Sequence, residues 1–142
     1  MDRNDRPGSG TGGCPAELGQ RKVLIAEDEA IVAMNLCDIV EDLGGEVVGP
    51  FARVAQCIAA LDEGLPDLAI LDLRLEDGSS IAVAEKLAGH NIPIVFHSGH
   101  MDDNEWQPQP EDTPVYYCSK PCPSSDLEAA LLAGVQQAHT SA

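Results

Sequence analysis

Apolar residues along the chain fall into two alternating kinds of pattern. Short aliphatic runs occur at 23–26 (VLIA), 46–49 (EVVG), 67–71 (DLAIL), 92–97 (IPIVFH) and 114–118 (PVYYC). Most are continuously apolar rather than alternating, as expected for strands of a parallel sheet covered on both faces. Between them the spacing changes to i, i+3, i+4, i+7. Ala33, Leu36, Cys37 and Val40 form one such stripe, and Val54, Cys57, Ile58 and Leu61 another, each predicting an amphipathic helix. Ala84, Leu87 and Ala88 predict a shorter third helix. Leu127, Ala130 and Leu131 predict a last one, with Ser125 and Glu128 at capping-box spacing at its start. The interval 101–113 (MDDNEWQPQPEDT) holds two prolines and little apolar periodicity, so the helix expected there is short, irregular or absent.

Five strands with intervening helices predict a (βα)5 α/β domain, because parallel strands need crossover connections and these are right-handed. Residues 1–20 combine Gly, Pro, Ser and charge without apolar periodicity and read as a flexible N-terminal tail, leaving 21–142 as one domain. The GSGTGG stretch in that tail follows no strand and lacks a terminal Lys-Ser/Thr pair, so it reads as linker rather than phosphate loop. The last helix is expected to end near residue 138, with no output domain after it.

Composition narrows the range of partners. Eight Lys and Arg against 24 Asp and Glu give 8 − 24 = −16 over 142 residues, a charge that repels phosphate backbones and argues against nucleic acid or an anionic membrane surface. Hydrophobic residues at 44% exclude a wholly disordered acidic chain, and aromatics at 4% point to an aliphatic core. Five cysteines (Cys14, Cys37, Cys57, Cys118 and Cys122) form an odd set with no CxxC pair, so reduced thiols are expected rather than disulfides or a zinc site. No apolar run approaches the roughly 20 residues of a membrane span, and the N-terminus lacks a signal-peptide core. A soluble, cytoplasmic protein is the expectation.

Ligands of open α/β sheets bind beyond the carboxyl ends of the strands, and there the sequence concentrates its chemistry. Glu27 and Asp28 follow the first strand, Asp72 the third and Ser98 the fourth, while Lys120 and Pro121 stand just past the fifth. Glu27, Asp28 and Asp72 sum to −3, and like charges raise one another's pKa values unless a counterion is present. A divalent cation together with the Lys120 ammonium brings the sum to zero, and oxygen ligands in a water-accessible site suit Mg²⁺. A phosphoryl group on Asp72 would need the metal, a hydroxyl and an amine, and Ser98 and Lys120 supply the last two. Aspartate is an established nucleophile for acyl-phosphate formation.

In these residues the chain resembles response-regulator receiver domains of two-component signalling. The motifs that carry the resemblance are Glu27-Asp28 in VLIAEDE, Asp72 in LDLRLEDG, Ser98 in VFHSGH and Lys120-Pro121 in YYCSKP, in order, over about Lys22 to Ala138. The resemblance implies a doubly wound, five-stranded parallel sheet in the flavodoxin-like order 2-1-3-4-5. It implies that Asp72 is the phosphoacceptor, that Glu27 and Asp28 help to bind Mg²⁺, and that Arg74 gives the metal a backbone carbonyl. Ser98 and Tyr117 would form a switch pair, and the Lys120–Pro121 peptide would be cis. FHSGH at 96–100, with the Pro-rich stretch after it, is similar to the FATG-type single-domain regulators of Alphaproteobacteria. Departures from the general pattern are Ser98 where Thr is commoner, Glu76 where Pro is common, and the weak fourth helix.

Each residue also has a structural reading. Glu27 and Asp28 are suited to a helix N-terminus, Asp72 to a turn beside the Asp77-Gly78 pair, Lys120 to an exposed surface and Tyr117 to strand packing; only their joint placement favours a site. His97 and His100 read as loop-edge side chains flanking Ser98-Gly99, while His90 and His139 lie near helix ends. Trp106 is a candidate anchor for a partner, and Cys118 and Cys122 read as inert thiols flanking Lys120. The function expected is a stand-alone phosphoprotein. It would be loaded by a histidine kinase or histidine phosphotransfer protein, and would signal by protein contact or act as a phosphate shuttle or sink. Two other classes compete: a pseudo-receiver that binds a partner without phosphorylation, and a haloacid-dehalogenase-type phosphatase. The first predicts a missing site residue, and none is missing. The second needs an Asp two residues after the nucleophile, where Arg74 stands, so a signalling domain rather than an enzyme is expected.

Overall fold

The apolar runs become strands β1 (Lys22–Ala26), β2 (Glu46–Phe51), β3 (Leu68–Leu71), β6 (Ile94–Ser98) and β7 (Val115–Ser119). Helices α1 (Ala30–Asp42), α2 (Val54–Glu63), α3 (Ile81–Gly89) and α4 (Ser124–Ser141) connect and follow them, and the two-residue strands β4 (Arg74–Leu75) and β5 (Gly78–Ser79) make a small hairpin between β3 and α3. This computed structural model describes residues 17–99 and 113–141, the last five by their backbone alone. The five long strands are parallel in the order β2-β1-β3-β6-β7, the predicted 2-1-3-4-5 order once the hairpin is set aside.

Alternation along each strand divides the apolar residues between two cores. Leu24, Leu71 and Phe96 face α2 and α3 through Cys57, Leu61, Val83 and Leu87. Ile25, Ile70 and Val95 face α1 and α4 through Leu36, Val40, Leu127 and Leu131. Each fully buried Leu, Ile or Phe contributes about 1.5–3 kcal/mol, and the central strand β3 is buried at every residue. That rigid centre is what holds the strand ends in fixed relation.

Two segments depart from the sequence reading. Glu17–Gln20 form a turn rather than the end of a tail: Leu18 is fully buried, its N–H donates to Leu43 O at 2.8 Å, and Gln20 N donates to Gly44 O at 2.8 Å. The physical reason is a gap at Gly45, where an added Cβ would lie 2.8 Å from Leu18 Cδ1. Helix α4 begins at Ser124 and runs to Ser141, beyond 138. Ser125 therefore lies inside the first turn, and Pro123 O accepts from Asp126 N and Leu127 N. Residues 1–16 and 100–112, with Cys14, His100, Trp106 and most of the expected irregular helix, lie outside the described residues.

A bulge in β2 matters for the site. Leu24 pairs with Val48 but Ala26 pairs with Phe51, so β2 carries one extra residue. Gly49 sits at φ +114°, and a Cβ there would lie 2.9 Å from Ile25 O, in a conformation and a space that favour glycine. The bulge lets Phe51 O accept the Glu27 N–H at 2.9 Å. Both Gly49–Pro50 and Lys120–Pro121 are cis.

Candidate functional site

Backbone hydrogen bonds between neighbouring strand ends fix the site. Asp72 N donates to Ala26 O and Lys120 N to Ser98 O, each at 2.9 Å, beside the Glu27–Phe51 bond. Sequence-distant residues are thereby placed in one row across β1, β3, β6 and β7. Glu27, Asp72 and Ser98 are buried, while Asp28 is exposed at the mouth.

The Lys120 ammonium bridges two carboxylates. Nζ stands 3.0 Å from Asp72 Oδ2, 3.0 Å from Glu27 Oε1 and 3.2 Å from Glu27 Oε2. Burial raises the Glu27 carboxyl from its ordinary 4.5 to about 7, against the hydrogen bonds from Glu29 N and Lys120 that favour its charge. Burial alone would lower the Lys120 amine, but its hydrogen bonds to Asp72 and Glu27 outweigh that and hold it above its ordinary value. The ammonium form is therefore secure at neutral pH.

Both oxygens of Asp72 have partners. Lys120 holds Oδ2, and the Arg74 N–H donates to Oδ1 at 3.2 Å. Glu27 Oε2 accepts from Glu29 N at 3.1 Å, so Glu27 also braces the chain just before α1. Among the described residues Glu27 Oε1 has an ion pair with Lys120 and accepts no hydrogen bond. Glu27, Asp28 and Asp72 each offer a carboxylate oxygen, all within 4.8 Å of one another. A half-satisfied buried oxygen among three hard ligands on an open mouth fits a divalent cation of the magnesium kind.

The other expected residues lie on the strands beside this centre or at element ends. Ser98 ends β6, and Tyr117 on the neighbouring β7 is half-exposed, its ring stacked on Phe96 with centroids 5.4 Å apart and planes 13° apart. His97 corrects the loop-edge reading: β6 runs on through Ser98, which puts His97 inside the sheet, 6% exposed. Burial, then the Lys120 charge, lowers its pKa, and its Nδ1 has no hydrogen-bond partner among the described residues. His90 caps the end of α3. Cys118 is buried and its thiol is pushed up to about 12, first by that burial and next by a hydrogen bond to Cys122, as befits an unreactive thiol.

Asp77 does more than make the expected Asp-Gly turn. It sits at the tip of the β4–β5 hairpin, where its carboxylate accepts from the Val54 and Ala55 N–H groups of α2. The sequence signalled the turn, but nothing in it pointed to a helix more than twenty residues away.

The arrangement places a buried carboxylate beside an ammonium and within a group of acids that could share a divalent cation. Comparison with known proteins places the chain in a family. The family model for the response regulator receiver domain matches residues 23–132. The transcriptional regulatory protein PdtaR of Mycobacterium tuberculosis is 30% identical over 112 residues, 78% of this chain and 55% of that protein. The phyllosphere-induced regulator PhyR of Methylorubrum extorquens is 30% identical over 113 residues, 78% of this chain and 42% of that protein, so the chain spans about half the length of the curated relatives it matches. Among solved structures, SdrG from Sphingomonas melonis Fr1 superposes with a TM-score of 0.64 at 38% identity, covering 81% of this chain and 96% of SdrG. With the fold, the strand-end row and a family match over most of its length, the chain belongs to the response-regulator receiver domains, a family of signalling domains.

Proposed function

We propose that the chain accepts a phosphoryl group on Asp72 from a histidine kinase or histidine phosphotransfer protein. The observation that carries this reading is the clamped Asp72 carboxylate, with Lys120 bridging it to Glu27. In the transfer, a carboxylate oxygen of Asp72 attacks phosphorus in line, the P–N bond of the donor phosphohistidine breaks, and the imidazole nitrogen leaves with the bonding pair. Lys120 neutralises charge on the phosphoryl oxygens, and the Ser98 hydroxyl donates to one of them. Glu27, Asp28, Asp72 and the Arg74 carbonyl would hold Mg²⁺, which, when bound, supplies further charge neutralisation.

The new phosphoryl contacts would draw Ser98 inward and leave space for Tyr117, which moves from its stack on Phe96. This is a population shift driven by contacts made in one state only. The signal leaves by protein contact, or the chain passes phosphate on as a shuttle or sink. The net charge of −16 supports a protein partner over nucleic acid or an anionic membrane. Among the described residues no helix is long and apolar enough to cross a membrane, and all four described cysteines are free thiols, which supports a reducing cytoplasmic setting.

Incubation with acetyl phosphate and Mg²⁺, followed by intact-mass measurement, is expected to add one labile phosphoryl group to the native chain and none to Asp72→Asn. Equal labelling of both would remove Asp72 from the role. If neither acetyl phosphate nor a panel of histidine kinases labels the native chain, a phosphorylation-independent binding module becomes the better account.

A further inference from the structure

We infer that Asp77 is a positioning residue for Asp72, acting through the β4–β5 hairpin that it fastens to helix α2. The inference rests on the phosphoacceptor reading of Asp72 only for its effect on the reaction; the fastening itself is geometric.

Helix α2 starts without a cap of its own, since its N-cap residue Arg53 makes no side-chain cap bond. Two of its four orphan amide groups are satisfied from outside the helix. Asp77 Oδ1 accepts from Val54 N at 2.6 Å and Oδ2 from Ala55 N at 3.1 Å. A carboxylate at this position also meets the positive end of the helix dipole. The neighbouring Glu76 N donates to Ala52 O at 3.0 Å, and Arg53 Nη1 lies 3.3 Å from Glu76 Oε1. The hairpin tip is thus tied to the β2–α2 junction at several points.

The hairpin base is tied to the site. Leu73 and Leu75 are buried in the core beneath α2 and α3, and Ser80 N donates to Leu73 O at 2.9 Å. Between those two leucines stands Arg74, whose N–H holds Asp72 Oδ1. The Arg74 side chain is exposed and its peptide belongs to a two-residue strand. A strand so short has little stability of its own, so the tie at the tip decides whether the Arg74 amide keeps its aim. With that aim lost, Lys120 is the one partner left to the Asp72 carboxylate among the described residues, and the carboxylate can rotate out of line with an incoming phosphorus.

The test compares the native chain with Asp77→Ala and Asp77→Asn. Asparagine keeps one acceptor for the Val54 amide and is as good a helix N-cap as aspartate. Amide hydrogen exchange read by NMR in the metal-free protein is expected to show Arg74 exchanging about 10-fold faster in Asp77→Ala. It should return close to the native rate in Asp77→Asn, and the Asp72 amide, bonded to Ala26, should be unchanged throughout. Acetyl phosphate labelling is expected to slow by about 10-fold in Asp77→Ala and to recover in Asp77→Asn. Native exchange at Arg74 and native labelling in Asp77→Ala, alongside a lowered melting temperature, would show that Asp77 merely caps α2 and would overturn the inference. If the native chain takes no label from acetyl phosphate or from a panel of histidine kinases while the exchange pattern appears as described, the fastening stands and the phosphoacceptor reading falls.

Discussion

Lys120 Nζ lies 3.0 Å from Asp72 Oδ2, joining residues 48 apart in sequence across the carboxyl ends of two strands that are not neighbours in the sheet. The ammonium also faces Glu27, so one cation serves two buried or nearly buried carboxylates. Lys120→Met keeps the stem and removes the charge. Loss of one preorganised charge contact from a transfer site costs about 100-fold in rate, so acetyl phosphate labelling of Asp72 is expected to slow by that factor. A native labelling rate would show that the phosphoryl charge is balanced without the Lys120 ammonium.

The buried Glu27 carboxyl sets a pH dependence. Its folded-state pKa of about 7 lies above its ordinary 4.5, so the folded chain binds this proton more tightly than the unfolded chain does. Stability contributed by the proton is full below about 4.5 and declines as pH rises through about 7, by an amount on the order of 3 kcal/mol. In urea unfolding with EDTA present, the native chain is expected to lose stability between pH 4.5 and pH 8. Glu27→Gln should show a flatter profile, and parallel profiles for the two would contradict the burial account. Mg²⁺ should oppose the loss, since it favours the ionised carboxylate.

Tyr117 stacks on Phe96 with its ring half in solvent, so little stability depends on it. An aromatic pair contributes about 0.5–1.5 kcal/mol beyond its buried area, and Tyr117→Ala is expected to destabilise by about 1 kcal/mol. The stronger expectation concerns movement. With 3-fluorotyrosine at Tyr116 and Tyr117, addition of beryllofluoride should shift the Tyr117 fluorine resonance and leave Tyr116, which packs against α4, nearly unmoved. Coincident behaviour of the two resonances would count against a switch at Tyr117.

Leu18 ties the segment before β1 to the core. Leu18→Ala is expected to cost about 2–5 kcal/mol in urea unfolding. Glu17→Ala, at the exposed neighbouring position, should remain within about 0.5 kcal/mol of native. Equal effects at the two positions would mean that the turn is not part of the folded body.

Most of this architecture was legible because the signals are local. Continuous runs such as LAIL in β3 and the stripe of Ala33, Leu36 and Val40 in α1 report burial on two faces or on one, and strand ends then locate Glu27, Asp72, Ser98 and Lys120 without any knowledge of tertiary contacts. What escaped the reading depends on contacts between distant segments. Leu18 is one apolar residue in a glycine-rich stretch, and its burial follows from the space left by Gly45 on the far side of α1. His97 sits among apolar neighbours, and whether it ends a strand or begins a loop turned on one residue of β6. Asp77 carries an ordinary turn signature, whereas its partners are two amides whose positions the whole α2 packing determines.

The bulge at Gly49 places a residue with no side chain in control of an acid it never touches. Any substitution there must push against Ile25 O, and the displacement passes through Phe51 O to the Glu27 amide. A random mutational screen for lost signalling would therefore return position 49 together with the charged residues, and return it as intolerant of even alanine. Maps of mutational sensitivity should show this as an isolated peak in β2, the strand whose other positions are among the more exposed of the sheet.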